Sequence, residues 1–231
     1  MVKLIAAGCS WTQGFLEDKS YPWPELLAKK LDMECINLGQ GGAGNEYISS
    51  VISDKVIEEK DIGLAVVMWS NCFRLDFDIF NDNGYGSSHI RGWLQIHHKR
   101  FTDYVKSWYK RSDFSANGAT KRLMRLSYSF QNLMEKNNIP YIQVQGKRPI
   151  HFVDKETYHR YVKECANSII DSPYFHKIDE NKFIGWPIMS EIGGECMDDI
   201  LDEETEKYKD HDHPNEFGQE RIAEFLYKNV V

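Results

Sequence analysis

The run Leu64-Ala65-Val66-Val67-Met68, set within Ile62 to Trp69, constrains the fold more than any other stretch. It has the length of a strand, and its near-continuous apolar character leaves no side for water, so both faces are covered. Strands of that kind belong to parallel sheets, whose members are joined by long, usually helical, crossovers. The chain on the N-terminal side supplies them. Residues 3–7 read as a short buried strand. Pro24 to Leu31 reads as a helix, with Pro24 suited to its first turn. Glu34 to Leu38 is a second strand. Asn45 reads as the cap of a helix running to about Glu59, with Tyr47, Ile48, Val51, Ile52 and Val56 on one apolar face. The order is βαβαβ, the opening of a doubly wound α/β fold.

Beyond Trp69 the pattern is less regular. Residues 71–92 contain Asn81 to Ser88, which read as a loop. A helix is expected from Trp93 to Arg111, with Phe101, Tyr104, Val105 and Trp108 on one face. A second covers about Thr120 to Lys136, and Ile139 to Gln145 is the fourth strand. About Asp154 to Ile170 forms a further helix, and Phe183 to Ile188 supplies a short fifth strand or a packed loop. Between Glu191 and Glu206 lie eight acidic residues and no basic ones, read as a solvated segment. The last helix runs from about Glu216 to Asn229, with Asn215 as its cap. No repeat or linker divides the chain. The expectation is one domain over residues 1–231, a flavodoxin-like three-layer α/β/α sandwich on a central parallel sheet, with helical insertions at about 72–118 and 146–209.

Charge and cysteine usage exclude several function classes. Lys+Arg is 28 against Asp+Glu 35, a net charge of -7, which argues against a broad nucleic-acid footprint. Cys9, Cys35, Cys72, Cys165 and Cys196 are odd in number and contain no CxxC pair, against a disulfide framework or a zinc–thiolate site. Reduced thiols in a cytoplasmic setting are expected. No apolar run approaches the roughly 20 residues needed to span a bilayer. Too few residues precede Cys9 for a secretory signal, so Ile5-Ala6-Ala7-Gly8-Cys9 is read as the end of strand one.

In a parallel α/β sheet, functional groups gather at the carboxyl ends of the strands. Ser10 follows strand one, the glycine run Gly39 to Gly44 follows strand two, and Asn71 follows strand three. Asp210-His211-Asp212-His213 precedes the last helix. A serine hydroxyl becomes a nucleophile when a base takes its proton and donors hold the oxyanion. His213 is the candidate base. Asp210, three residues earlier, is expected on the same side of a helical turn, where it would fix the imidazole tautomer. Backbone N–H groups of the glycine run and the Asn71 amide are candidate oxyanion donors.

Each feature also has a plainer reading. Ser10 and Asn71 could cap turns. The glycine run could be a tight loop; it lacks the Walker lysine and a full GxGxxG fingerprint. The Asp210–His213 cluster carries metal-ligand types, although no further cluster completes a site. His97 and His98 fall in an amphipathic helix, and the tyrosines and tryptophans read mainly as core, with a sugar-binding rim as the alternative.

Taken together, the set resembles the SGNH hydrolases, also called the GDSL family. Gly8-Cys9-Ser10 resembles the family's Gly-Asp-Ser block. Asn37-Leu38-Gly39-Gln40-Gly41-Gly42 resembles the second block, with Gly42 at the oxyanion glycine. Trp69-Ser70-Asn71 resembles the third, with Asn71 as the oxyanion asparagine. Asp210-x-x-His213-Pro214-Asn215, followed by Gly218, resembles the fourth. The blocks run end to end in family order. Cys9 stands where the family keeps aspartate, Cys72 likewise, and Trp69 where it keeps glycine; Trp69 would close part of the cleft or form one wall of it.

The resemblance implies a serine hydrolase cleaving an ester of a small acyl group, such as acetyl on a carbohydrate. Ser10, His213 and Asp210 would form the triad, and Ser10, Gly42 and Asn71 the oxyanion hole, with no cofactor. Small proteins of this family also occur in bacteriophage genomes, so the resemblance is compatible with a divergent, phage-encoded member. Two other readings stand beside it. One is a catalytically inactive module of the same fold binding a glycan or a partner protein. The other is a metal-dependent hydrolase using Asp210, His211 and His213.

Overall fold

The computed structural model describes residues 1–14, 21–74, 76–80, 87–91, 115–149, 155–202, 208–210 and 213–230. Among them, five strands form one parallel sheet: β1 (Lys3–Ala7), β2 (Glu34–Asn37), β3 (Ile62–Trp69), β6 (Tyr141–Gln145) and β7 (Phe183–Ile184). Their order is β2-β1-β3-β6-β7. Chain direction across the sheet therefore reverses between β1 and β3, which opens a crevice beyond their carboxyl ends, the usual ligand position in such sheets. Leu4 to Ala7 and Leu64 to Trp69 are buried along their whole length, as a strand covered on both faces must be.

Helices cover both faces. On one, α2 (Trp23–Lys30) packs against α7 (Glu216–Val230). On the other, α3 (Asn45–Glu58) packs against α4 (Ala116–Lys136), and α4 against α5 (Lys155–Ile170). This is the expected three-layer α/β/α sandwich. Helix α4 begins before Thr120 because Ser115 caps it, its Oγ accepting from Gly118 N–H at 3.1 Å. Asn215 caps α7 as expected, accepting from Gly218 N–H at 3.0 Å.

Several local expectations change. Asn45 is not the cap of α3. Its carboxamide instead pairs with the backbone of Ser70, accepting from N–H at 2.7 Å and donating to the carbonyl at 3.1 Å. The Asp76 carboxylate caps the helix, accepting from Gly44 N–H and Tyr47 N–H at 2.8 and 2.9 Å. Asp76 opens an antiparallel pair of β4 (Asp76–Phe80) and β5 (Ser87–Arg91) within the irregular stretch after β3; residues 81–86 of the expected loop lie outside the described residues. The acidic stretch contains α6 (Met197–Asp202), whose Asp198 is buried and ion-paired. The expected helix from Trp93 to Arg111, with His97 and His98, lies outside the described residues.

Trp69 is fully buried. Its ring meets Phe130 of α4 edge-to-face, and its indole N–H donates to Gln143 Oε1 at 2.9 Å. It fills the layer between sheet and α4 and forms no wall of the cleft.

Candidate active site

Cys9 leads from β1 into α1 (Ser10–Gln13), a single helical turn closed by Thr12 N–H and Gln13 N–H on the Cys9 carbonyl at 2.9 and 3.0 Å. Ser10 is its first residue, so its own N–H has no acceptor within the turn. The second block holds this turn in place. Asn37 donates through Nδ2 to the Thr12 carbonyl at 2.8 Å and accepts from Gly39 N–H at 2.9 Å. Gln13 Oε1 accepts from Gly41 N–H at 2.6 Å. A Cβ at Gly39 would lie 2.2 Å from Gln13 N, so the close approach of the two loops requires glycine. The sequence pattern assigns no such task to Asn37 or Gln13.

His213 comes from the other end of the chain. Its Nε2 lies 2.9 Å from Ser10 Oγ, across a separation of 203 residues. The segment carrying it is not a helical turn. β8 (Lys209–Asp210) and β9 (His213–Pro214) form a two-residue antiparallel ladder in which Asp210 stands opposite His213. The Asn215 N–H bond to the Tyr208 carbonyl, 2.9 Å, closes this hairpin. The two residues are thus neighbours across a ladder; only the backbone of Asp210 is described.

Asn71 is buried at the carboxyl end of β3. Its Oδ1 accepts from Phe73 N–H at 2.8 Å, and its Nδ2 donates weakly to the Arg148 carbonyl at 3.4 Å. Bonding Oδ1 to the backbone aims the amide's donor end and leaves one of its two N–H groups uncommitted by these contacts. Gly42 is the third residue of a turn closed by Ala43 N–H on the Gln40 carbonyl at 3.0 Å, with φ of 78°.

A charged network beside the turn has no counterpart in the sequence-based expectations. Lys209 Nζ is almost wholly buried between the carboxylates of Asp198 and Asp202, and Arg148 bonds Asp199 and Asp202, each at 2.8 Å. The ammonium groups of Lys147 and Lys209 lie 5.2 and 5.4 Å from the ring of Trp11, the residue after Ser10. Burial alone would lower the Lys209 pKa, but Asp198 and Asp202 raise it overall. The available signal is Lys209 itself, a cation after an all-acidic run.

The five cysteines are free thiols. Cys72, next to Asn71, is buried, and that burial pushes its thiol well up. Cys165 is pushed up to about 11 for the same reason. Such thiols are poor nucleophiles. Among the described residues no group of three His, Cys, Asp or Glu side chains is placed to hold a metal ion; His211 and Asp212 lie outside them.

No family model and no curated protein matches the sequence. Solved structures do. An esterase from Pseudoalteromonas sp. superposes over 100% of this chain and 97% of its own with a TM-score of 0.54 at 13% identity. A member of the lipolytic protein G-D-S-L family from Veillonella parvula gives 99%, 97%, 0.52 and 13% in the same order. The chain has the SGNH-hydrolase fold. An acetylxylan esterase from Geobacillus stearothermophilus extends the likeness, with coverage of 99% and 94%, a TM-score of 0.51 and 11% identity. Within the SGNH fold, the two departures at Cys9 and Trp69 are changes of packing. Cys9 is 2% exposed and Trp69 is fully enclosed, and both belong to the hydrophobic core.

Proposed function

We propose that this SGNH-fold protein is a serine esterase that removes a small acyl group, acetyl on a carbohydrate being the favoured substrate class. The observation carrying the proposal is the 2.9 Å contact between Ser10 Oγ and His213 Nε2. A hydroxyl bonded to an unprotonated imidazole nitrogen is ready to lose its proton as it attacks a carbonyl carbon.

The reaction follows from the residues. Ser10 Oγ attacks the ester carbonyl while His213 Nε2 takes the proton. The oxyanion is held by Ser10 N–H, Gly42 N–H and Asn71 Nδ2, and loss of one such donor raises the barrier by on the order of 3 kcal/mol. His213 returns its proton to the departing alkoxide, leaving an acyl group on Ser10. Water, deprotonated by the same imidazole, then releases the acid. Asp210 is assigned the task of holding the imidazole Nδ1–H; its place opposite His213 in the β8–β9 ladder supports this. The acetylxylan esterase of the same fold supports the substrate class.

The test is hydrolysis of p-nitrophenyl acetate and of acetylated oligosaccharides by the wild type, Ser10→Ala and His213→Ala. Either substitution is expected to lower kcat by about 10⁴-fold or more. Unchanged turnover in Ser10→Ala overturns the mechanism. Stoichiometric labelling of Ser10 by a fluorophosphonate probe separates the esterase from the inactive binding module, which would stay unlabelled.

A further inference from the structure

We infer that Gln219 is a positioning residue that clamps the nucleophile turn to the histidine segment. The inference rests on the esterase reading. Ser10 and His213 belong to segments from opposite ends of the chain, and the histidine rides on a ladder only two residues long. A contact that decides proton transfer needs a firmer tie, because a misplacement of about 1 Å costs on the order of 10²-fold in rate.

Gln219 supplies that tie. It sits in the first turn of α7 and is 1% exposed. Its Nε2 donates to the Trp11 carbonyl at 3.2 Å and, more weakly, to the Pro214 carbonyl at 3.5 Å. Trp11 is the residue after Ser10, and Pro214 the residue after His213. One carboxamide therefore spans the two backbone segments just past the nucleophile and just past the base. Its orientation is set from the other side. Trp23 N–H donates to Oε1 at 2.8 Å, which only the oxygen end can accept, so the NH₂ end must face the two carbonyls. The helix under Gln219 is itself fixed to the histidine hairpin. Gly218 packs so tightly on the Tyr208 carbonyl that a Cβ there would lie 2.1 Å from its oxygen. Helix, hairpin and nucleophile turn thus meet at this one side chain.

The experiment compares the wild type with Gln219→Met, which keeps length and loses both polar ends, and Gln219→Glu, which keeps an acceptor for Trp23 N–H and loses the donors. Gln219→Asn, shorter by one methylene, is the mildest of the three and serves if the others fail to fold. The readouts are kcat and KM for p-nitrophenyl acetate, and the rate of fluorophosphonate labelling per folded molecule. A fall of about 10-fold to 100-fold in kcat and in labelling rate is expected, with KM changed by less than about twofold. Labelling and kcat within about twofold of wild type in a folded variant overturn the inference and leave Gln219 a packing residue. A crystal structure of the same variant gives a readout independent of catalysis. The Ser10 Oγ to His213 Nε2 separation is expected to open past hydrogen-bond reach, and a contact retained at its present length overturns the inference. A wild type that is not labelled would sink the esterase reading, while that separation still decides the clamp.

Discussion

Gly39 and Gly42 stand three residues apart in the second block and are glycine for different reasons. At Gly39 the obstacle is the backbone of the Ser10 turn: a Cβ there would lie 2.2 Å from Gln13 N and 2.6 Å from the carbonyl carbon of Thr12. At Gly42 the obstacle is its own conformation, φ of 78°. Gly39→Ala is therefore expected to cost about 1–3 kcal/mol in urea unfolding and to slow ester turnover, because relief requires moving the segment that aims Ser10. Gly42→Ala is expected to cost only about 1 kcal/mol, the strain of one left-handed residue. Equal destabilisation of the two variants in urea would contradict this division. Cys9 belongs to the same residue-level logic. Enclosed against the core, it acts as a small hydrophobe, and it takes part in the turn through its carbonyl, a task any residue type can perform.

Among the elements, β3 and β6 carry the main departure from the family pattern. Trp69 at the end of β3 pairs with Gln145 of β6, bonds Gln143 of the same strand and meets Phe130 of α4. Ser127 of α4 donates to the same Gln143 oxygen at 2.7 Å. The indole is thus the apolar filler between sheet and helix, its N–H tying β3 to β6 while Ser127 ties α4 to the same carboxamide. Trp69→Gly, which restores the residue the family keeps, is expected to destabilise by about 4 kcal/mol or more, since replacing a buried Trp by Ala already costs about 3–5 kcal/mol. Urea denaturation checks the loss. Fluorophosphonate labelling of the folded fraction is expected to persist, because the ring faces α4 rather than the cleft. Asp76 shows the same dependence of one element on another: a residue of the hairpin caps a helix that follows β2.

Across the whole molecule, the network of Lys209, Arg148, Asp198, Asp199 and Asp202 joins α6, the segment after β6 and the histidine hairpin. Burial opposes ionisation of Asp202, but Lys209 and Arg148 hold its pKa below 3.8 overall; Lys209 is held above 10.5. The signs are opposite. The lowered Asp202 contributes stability present above its unfolded value and lost as pH falls through its folded one. The raised Lys209 contributes stability present below its unfolded value and lost as pH rises through its folded one. A plateau across neutral pH is expected, and Lys209→Met, which strands Asp198, should cost about 3–5 kcal/mol at pH 7. The gap between wild type and variant should narrow as pH falls below about 3.8 and through the lowered folded pKa of Asp202; a gap independent of pH would refute the pairing. The sequence by itself determined the sheet, because a continuous apolar strand must be covered on both faces, and the edge at which the candidate site residues gather, because parallel strands end on one edge. Ser10, Asn71 and His213 were legible there as residue types at strand ends and a helix start. What only the tertiary structure decided was contact: the Ser10–His213 bond, the Asn37 and Gln219 ties, the Trp69 packing and the buried Lys209. Those pairings join residues far apart in the chain, and local patterns of apolar and polar residues carry no information about which distant partner a side chain will meet.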